Sequence, residues 1–467
     1  MKKIFFNSVI ALAGTTLLFS SCSSKDSEIV KAPASKEVII KADITGTRSL
    51  VKDSIYVLQG QINVSGVINI AAGTVIKGDK VTKGSLIILP GGKINAVGTA
   101  SSPIVFTSAL APGLRSAGDW GGLVIVGKAP VNQTTATVEG LTREVAYGTS
   151  AFATRDAADN SGTLKYVRIE FAGISLQPDK EINGLTMCAV GSGTTIDHIQ
   201  VSYCGDDSFE WFGGNVNAKY LIAYLGLDDE FDTDFGYQGK VQFALGVRNP
   251  RVGDVSTSNG FESDNDANSS ALAPQTAPIF SNVTLIGPWK TKDDKNVSAL
   301  FGAGMHIRRN SSLSAFNSVF AGWNTGLLLD GTATTTYGNA TAGTLAIQNC
   351  ALVSSKVTAV NGAGITADQA LAFFNTTGFN NQIIADNATA KILNSFYDAT
   401  KTGTAANPTS FLPEAGSPLI ATGAGAFTHT KLADAFFDKT ATYMGAFGAT
   451  DWTKEAWVNF DPQNTVY

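Results

Sequence analysis

From Ile55 onward, short runs of alternating apolar and polar residues follow one another, each closed by small or turn-forming residues. Ile55-Tyr56-Val57-Leu58, Ile62-Asn63-Val64, Val67-Ile68-Asn69-Ile70 and Thr74-Val75-Ile76 open the series. Gly84-Ser85-Leu86-Ile87-Ile88-Leu89 starts a second lap, which ends at Ile104-Val105-Phe106-Thr107. Alternation with a period of two is the mark of strands, whose successive side chains point to opposite faces. No stretch sustains the roughly 3.6-residue period of an amphipathic helix. The pattern predicts an all-β chain of many short strands.

The runs also repeat at longer range. One pattern occurs as Asp206-Asp207-Ser208-Phe209-Glu210, Asp228-Asp229-Glu230-Phe231-Asp232, Ser258-Asn259-Gly260-Phe261-Glu262 and Gly302-Ala303-Gly304-Met305-His306. In each copy an apolar residue (Phe209, Phe231, Phe261, Met305) precedes a polar one (Glu210, Asp232, Glu262, His306). Two residues further on lie Phe212, Asp234, Asp264 and Arg308. A second series aligns Asn282, Asn317, Asn349 and Asn394, with Tyr166, His198 and Tyr220 at the same place in earlier laps. Asparagines aligned at a bend can hydrogen-bond from lap to lap and satisfy turn backbone groups. The tightest lap, Ser208 to Glu230, is about 22 residues, a solenoid spacing. Stacked laps predict that Phe209, Phe231, Phe261 and Met305 point inward. Glu210, Asp232, Glu262 and His306 then form an outward column, flanked by Thr186 and Leu328.

The segment Ile88-Leu89-Pro90-Gly91-Gly92-Lys93-Ile94-Asn95-Ala96-Val97-Gly98-Thr99-Ala100, with Pro103-Ile104-Val105-Phe106-Thr107-Ser108, resembles the opening laps of bacterial surface β-helices. Gly118-Asp119-Trp120-Gly121-Gly122-Leu123 is similar to their next lap. The resemblance is to right-handed parallel β-helix proteins, including a group of Bacteroidetes surface lipoproteins without established activity. It implies a right-handed parallel β-helix over residues 51–450. Phe411 to Gly448 resembles the last laps of such helices, and residues 451–467, with Trp452 and Trp457, read as a cap over an otherwise unpaired edge.

Composition agrees with this reading. The chain has 467 residues, too many for one ordinary compact core, but stacked laps escape that limit. Its 34 basic and 39 acidic residues give a net charge of −5, and the basic ones are scattered, which excludes a nucleic-acid footprint. Cys188, Cys204 and Cys350 are an odd set and read as small buried hydrophobes, not as disulfides. His198 and His429 have no partner in sequence and read as structural.

Lys2 and Lys3, the apolar stretch Ile4 to Phe19 and the small residues before Cys22 read as an export signal, too short for a stable membrane span. Leu17-Leu18-Phe19-Ser20-Ser21-Cys22 resembles a bacterial lipoprotein signal, with Phe19 where leucine is usual. Residues 1–22 are then signal and lipobox, Cys22 carries the lipid, and 23–50 form a flexible tether. Two or three acyl chains anchor a protein stably. Ser23-Ser24-Lys25-Asp26-Ser27-Glu28 resembles the acidic stretch that favours surface display in Bacteroidetes lipoproteins. The expected location is the outer membrane, facing outward, where an outer-membrane receptor is a candidate partner.

The outward column carries the chemistry. Neighbouring laps lie about 4.8 Å apart. Carboxylates that close raise one another's pKa, bind a cation or recruit basic groups. One reading is catalysis on a polysaccharide by Glu210, Asp232, Glu262, His306 and Arg308, since adjacent laps give roughly the carboxyl separation of retaining glycosidases. Gly205-Asp206-Asp207-Ser208 and His306-Ile307-Arg308 resemble motifs of polygalacturonase-type β-helix hydrolases, but the glycines flanking that family's histidine and its Asn-x-Asp motif are missing. A second reading is calcium held by Asp228, Glu230, Asp232, Asp234 and Asp264, an oxygen-rich set of the kind hard cations take. A third is a tolerated acidic face, partly neutralised by His306, Arg308 and Arg309. The expectation is a calcium-assisted site that binds or cleaves a polysaccharide or another extended polar polymer. The alternative is an adhesin-type scaffold without catalytic activity.

Overall fold

Strands of two to nine residues stack lap upon lap in the computed structural model, in parallel except for the short antiparallel pair Ser175–Gln177 and Lys180–Glu181. The structure describes residues 36–467 apart from 178–179, 333, 356, 362–363, 402–406 and 422. The export signal, Cys22 and the first part of the tether lie outside the described residues.

Two long sheets result. The ten-stranded sheet runs from Gln61–Val64 through Ser85–Ile88, Gly122–Val126, Leu185–Val190, Phe209–Gly214, Phe231–Asp234, Phe261–Ser263, Ala303–Arg308 and Thr325–Asp330 to Val357–Asn361. The seventeen-stranded sheet is folded along its length. Its strand Gly162–Glu170 pairs Gly162–Lys165 with residues 94–97 and Val167–Ile169 with residues 104–106. Tyr166, at the fold, has φ 52°, and His198, Tyr220, Asn282, Asn317 and Asn349 repeat that left-handed bend at φ between 52° and 56°. Three faces therefore enclose the core: a right-handed parallel β-helix, as the sequence implies.

The bend explains the second sequence series. Asparagine tolerates the left-handed region better than most residues. Where aromatic residues occupy it instead, they stack between laps, with Tyr166–His198 at 4.4 Å, His198–Tyr220 at 4.3 Å and Tyr220–Phe243 at 5.0 Å between ring centroids. Asn394 leaves the series, lying in the 3-10 turn Leu393–Ser395. The asparagine amides also serve another purpose than expected. Asn282 donates to the carbonyls of Ala441 and Tyr443 at 3.1 and 3.0 Å, and Asn317 donates to that of Ala426 at 3.1 Å.

Those acceptors belong to the C-terminal tail, which takes a different course from the expected laps and cap. No strand follows Gln382–Ile384 among the described residues. The chain instead returns across the outer face of the larger sheet toward the early laps. Gly445 N donates to Asn317 O, Asp438 N to Gln242 Oε1 and Asn459 N to Gln200 Oε1, while Arg115 donates to Pro462 O. The final residue, Tyr467, donates its hydroxyl to buried Glu170 at 2.6 Å. Trp452 meets Tyr220 edge-on, and Trp457 meets His198 and Tyr166 in the same way. Helix Ala367–Phe374 follows the last strand of the ten-stranded sheet and adds Ala370, Phe373 and Phe374 to the core. Its Thr366–Gln369 capping box satisfies the first turn.

The start also differs from expectation. Residues 36–50 are not tether: Lys36–Ile40 pairs with Ser54–Leu58, and Thr47–Leu50 pairs with Val67–Ile70. Ile40 and Leu50 are buried within the core. Inside the solenoid Phe209, Phe231, Phe261 and Met305 are fully buried in mutual register, and the free cysteines are buried too, Cys204 and Cys350 in this core and Cys188 beneath the segment that covers the outer face.

Candidate functional site

Alternate residues of the ten-stranded sheet face outward, and the register fixes which ones meet. Thr186, Glu210, Asp232, Glu262, His306 and Leu328 lie in one row across successive strands, the expected column. Beside it, Phe212 pairs with Asp234, and Arg308 pairs with Asp330.

The turn before these strands shows a role that the sequence did not disclose. Asp207 Oδ1 accepts from Asp229 N at 2.8 Å, Asp229 Oδ1 accepts from Asn259 N, and Asn259 Oδ1 accepts from Ala303 N at 2.9 Å. Each rim side chain thus satisfies the backbone amide of the next lap. The doubled Asp206-Asp207 and Asp228-Asp229 pairs were the available signal.

The two ends of the column differ electrostatically. Toward the C-terminal end the acids are paired. Arg308 Nε lies 2.8 Å from Asp264 Oδ1, Arg308 Nη2 binds Glu262, and Arg309 Nη1 lies 2.7 Å from Asp264 Oδ2. His306 sits between Glu262 Oε2 at 3.5 Å and Asp330 Oδ2 at 3.3 Å. Burial pulls the imidazole down, but hydrogen bonds to Asp330 and Glu262 together hold its pKa above the usual value. The charge of Arg308 is reinforced against burial by Glu262 and Asp264.

Toward the N-terminal end Asp207, Glu210 and Asp232 form no ion pair among the described residues, although the charge of Arg308 eases Asp232. One oxygen each from Asp207, Glu210 and Asp232 lies within 4.8 Å of the others, and Asp206, Asp207 and Asp228 form a second such group sharing Asp207. Glu210 accepts from the Asn183 amide. Asp232 Oδ1 and Asp228 Oδ1 are shielded from solvent without a hydrogen-bond partner. Burial, then neighbouring carboxylates, raises Asp207, Glu210 and Asp232 well above the ordinary carboxylate range. Burial and Asp264 push Asp234 up to about 8.

The five expected calcium ligands are therefore not one set. Asp228 belongs to the rim, where its Oδ2 binds Ser256 Oγ at 2.5 Å, and burial lifts its pKa to about 6. Glu230 faces away from the column and meets Arg248 Nη1 at 2.9 Å, with both side chains buried, so it is unavailable as an outward ligand. Burial moves its pKa to about 7 despite Arg248. Asp264 is engaged by two arginines, and Asp234 Oδ1 accepts from Phe235 N at 2.6 Å. The physical reason is that the strand begins only at Phe231. Alternation holds from there, and residues before it follow the turn. The set that converges adds Asp207 and Glu210 to Asp232.

The five expected catalytic residues do share the face, but His306 and Arg308 are bonded to Glu262, the register neighbour of Asp232, and to none of Asp207, Glu210 and Asp232. An all-carboxylate group suits a hard cation, which takes six to eight oxygens, and the orphaned Asp232 oxygen is a fitting donor. The same group without a cation must hold protons.

Fold and site together define a parallel β-helix with a carboxylate-rich sheet face. The chain matches the family model of the pectate-lyase-like beta helix domain over residues 42–399, and it belongs to that family. A solved structure titled "Crystal structure of pectate lyase Pel9A" is similar at 14% identity, covering 83% of this chain and 89% of that one, with a TM-score of 0.33. A search of curated proteins gives no match.

Proposed function

We propose that this protein binds an extended polysaccharide along the acidic sheet, assisted by calcium at Asp207, Glu210 and Asp232. The convergence of three carboxylates that form no salt bridge among the described residues carries this reading. The pectate-lyase-like family supports a polysaccharide ligand. A bound cation would neutralise these carboxylates and offer coordination to oxygen atoms of the polymer. Around it, Asn183 orients Glu210, the rim bonds fix Asp207, and His306 and Arg308 hold Glu262 in place. A solenoid face is long enough to hold several sugar units.

Cleavage is a second reading, favoured by the raised carboxyls of Glu210 and Asp232. A carboxyl that keeps its proton near neutral pH can act as a general acid beside an ionised neighbour. The scaffold reading stands against both.

Calcium is expected to raise the melting temperature of the wild type with occupancy, because it binds the folded array and not the unfolded chain. The Asp207→Asn/Glu210→Gln/Asp232→Asn variant should lose that response and also lose polysaccharide binding in calorimetry. Assay of reducing ends or of unsaturated product separates a binder from an enzyme. If the wild type gives no heat with calcium or with a broad polysaccharide panel, and the triple variant is as stable, the face is scaffold.

The reading includes a lipid anchor at Cys22 and display at the outer-membrane surface. A palmitate analogue should label the wild type in cells and leave Cys22→Ala unlabelled. Equal labelling would remove the anchor from this account.

A further inference from the structure

The early strands of the acidic sheet are covered. Val131, Val138, Leu141 and Tyr147, from the segment after Gly122–Val126, pack with Ile87, Val124 and Cys188. The strand that carries Glu210, Phe209–Gly214, is buried along its length as well, so the open part of the face begins at Phe231–Asp234. At that boundary lies a cleft of about 360 Å³, lined by Tyr147, Phe212, Phe235, Glu139, Glu144 and Lys180 among others.

Its position ties it to the acids. Phe212 points outward from the same strand as Glu210, two residues on, and its register partner is Asp234. Phe235 directly follows Asp234, and its ring centroid lies 5.5 Å from that of Phe212. Tyr147 closes the wall at 6.1 Å from Phe212. Phe235 is half-buried, so part of its ring faces the cleft. Aromatic carbon thus adjoins carboxylate oxygen across one short step of the sheet surface. A pyranose has the matching chemistry, with an apolar C–H face and hydroxyls around its edge. Pockets that hold such ligands combine apolar walls with a few polar groups that fix orientation.

The geometry points to this cleft as a subsite for one pyranose unit of the same polymer, packed on Phe235, which the buried Phe212 backs, and hydrogen-bonded by Glu139, Glu144 or Lys180. It rests on the polysaccharide reading above and adds to it where the chain enters the face. The polymer runs from the aromatic cleft, past Glu210, to the cation group at Asp232. Phe235 then sets affinity for chain length, and the carboxylates set the requirement for calcium.

The experiment is calorimetry on the full chain with calcium, using galacturonate oligomers and glucose oligomers of increasing length. For the wild type, affinity should rise about tenfold at the length that first reaches the cleft. In Phe235→Leu that rise should vanish, while binding of the shorter oligomers and of calcium is unchanged, and Phe235→Trp should restore it. Two results would overturn the subsite: Phe235→Leu matching the wild type at every length, or Phe235→Leu weakening calcium and all oligomers equally, which marks a structural role. If the wild type binds calcium but no oligomer of either kind, the polysaccharide reading fails, and the subsite fails with it.

Discussion

Stripped of divalent cations, the protein should melt at a higher temperature near about pH 5 than near about pH 8. The acidic face sets the sign. Asp207, Glu210, Asp229 and Asp232 have pKa values raised well above those of unfolded carboxyls, by burial first and by neighbouring carboxylates second. Asp228, Glu230 and Asp234 follow at about 6, about 7 and about 8. A folded state that keeps protons which the unfolded chain has released loses stability as pH rises. The loss starts above the ordinary carboxylate range and continues through about 8. His306 acts in the same direction: its pKa is raised in the folded protein, so its contribution is full below the unfolded value and disappears above the folded one. The lowered carboxyls, Asp43, Asp197, Asp386, Asp398, Asp434 and Asp438, favour folding at higher pH but finish titrating below this window. One pKa unit is worth about 1.4 kcal/mol, so several raised carboxyls amount to several kcal/mol. Calcium should flatten the decline, because it binds the ionised group and replaces the protons. Thermal melts across pH, in chelator and in calcium, measure both effects. Rising stability from about pH 5 to about pH 8 in chelator would mean that these carboxylates are ionised and compensated, and the case for a cation would weaken.

What the sequence discloses depends on what repeats. The Phe209–Phe231–Phe261–Met305 ladder and the Glu210–Asp232–Glu262–His306 column were legible because the two-residue strand period and the lap spacing each constrain them. Features that occur once were not. The strands Lys36–Ile40 and Thr47–Leu50 are single short runs in polar surroundings. The return path of the tail depends on individual bonds from Gln200, Gln242 and Asn282, none of which forms a pattern. Glu230 and Asp207 mislead for a related reason. They sit in the turn, where direction is set by local bends and by partners such as Arg248, which is 18 residues away in the chain. Residue type announced an acidic site, and only the geometry could sort its members into ligands, rim bonds and a buried ion pair.

Replacing Phe231 with alanine should cost about 3–5 kcal/mol, the range for a buried aromatic side chain. Phe231 is fully buried at the centre of the ladder. Its ring centroid lies 5.4 Å from Phe209, 5.9 Å from Phe261, 6.2 Å from Phe280 and 6.4 Å from Trp211. Truncation therefore leaves a void bounded by rings from both neighbouring laps and from the larger sheet, and backbone pairing on either side limits its collapse. The same strand presents Asp232 on its other face, so a shift of Phe231 by a fraction of a lap also moves the acid. The variant should accordingly weaken calcium binding more than Phe106→Ala, a buried site in an early strand of the larger sheet. Denaturant unfolding with calcium titration compares the two. A loss at Phe231 below about 1 kcal/mol would contradict the inward ladder, and the outward column would lose its geometric basis with it.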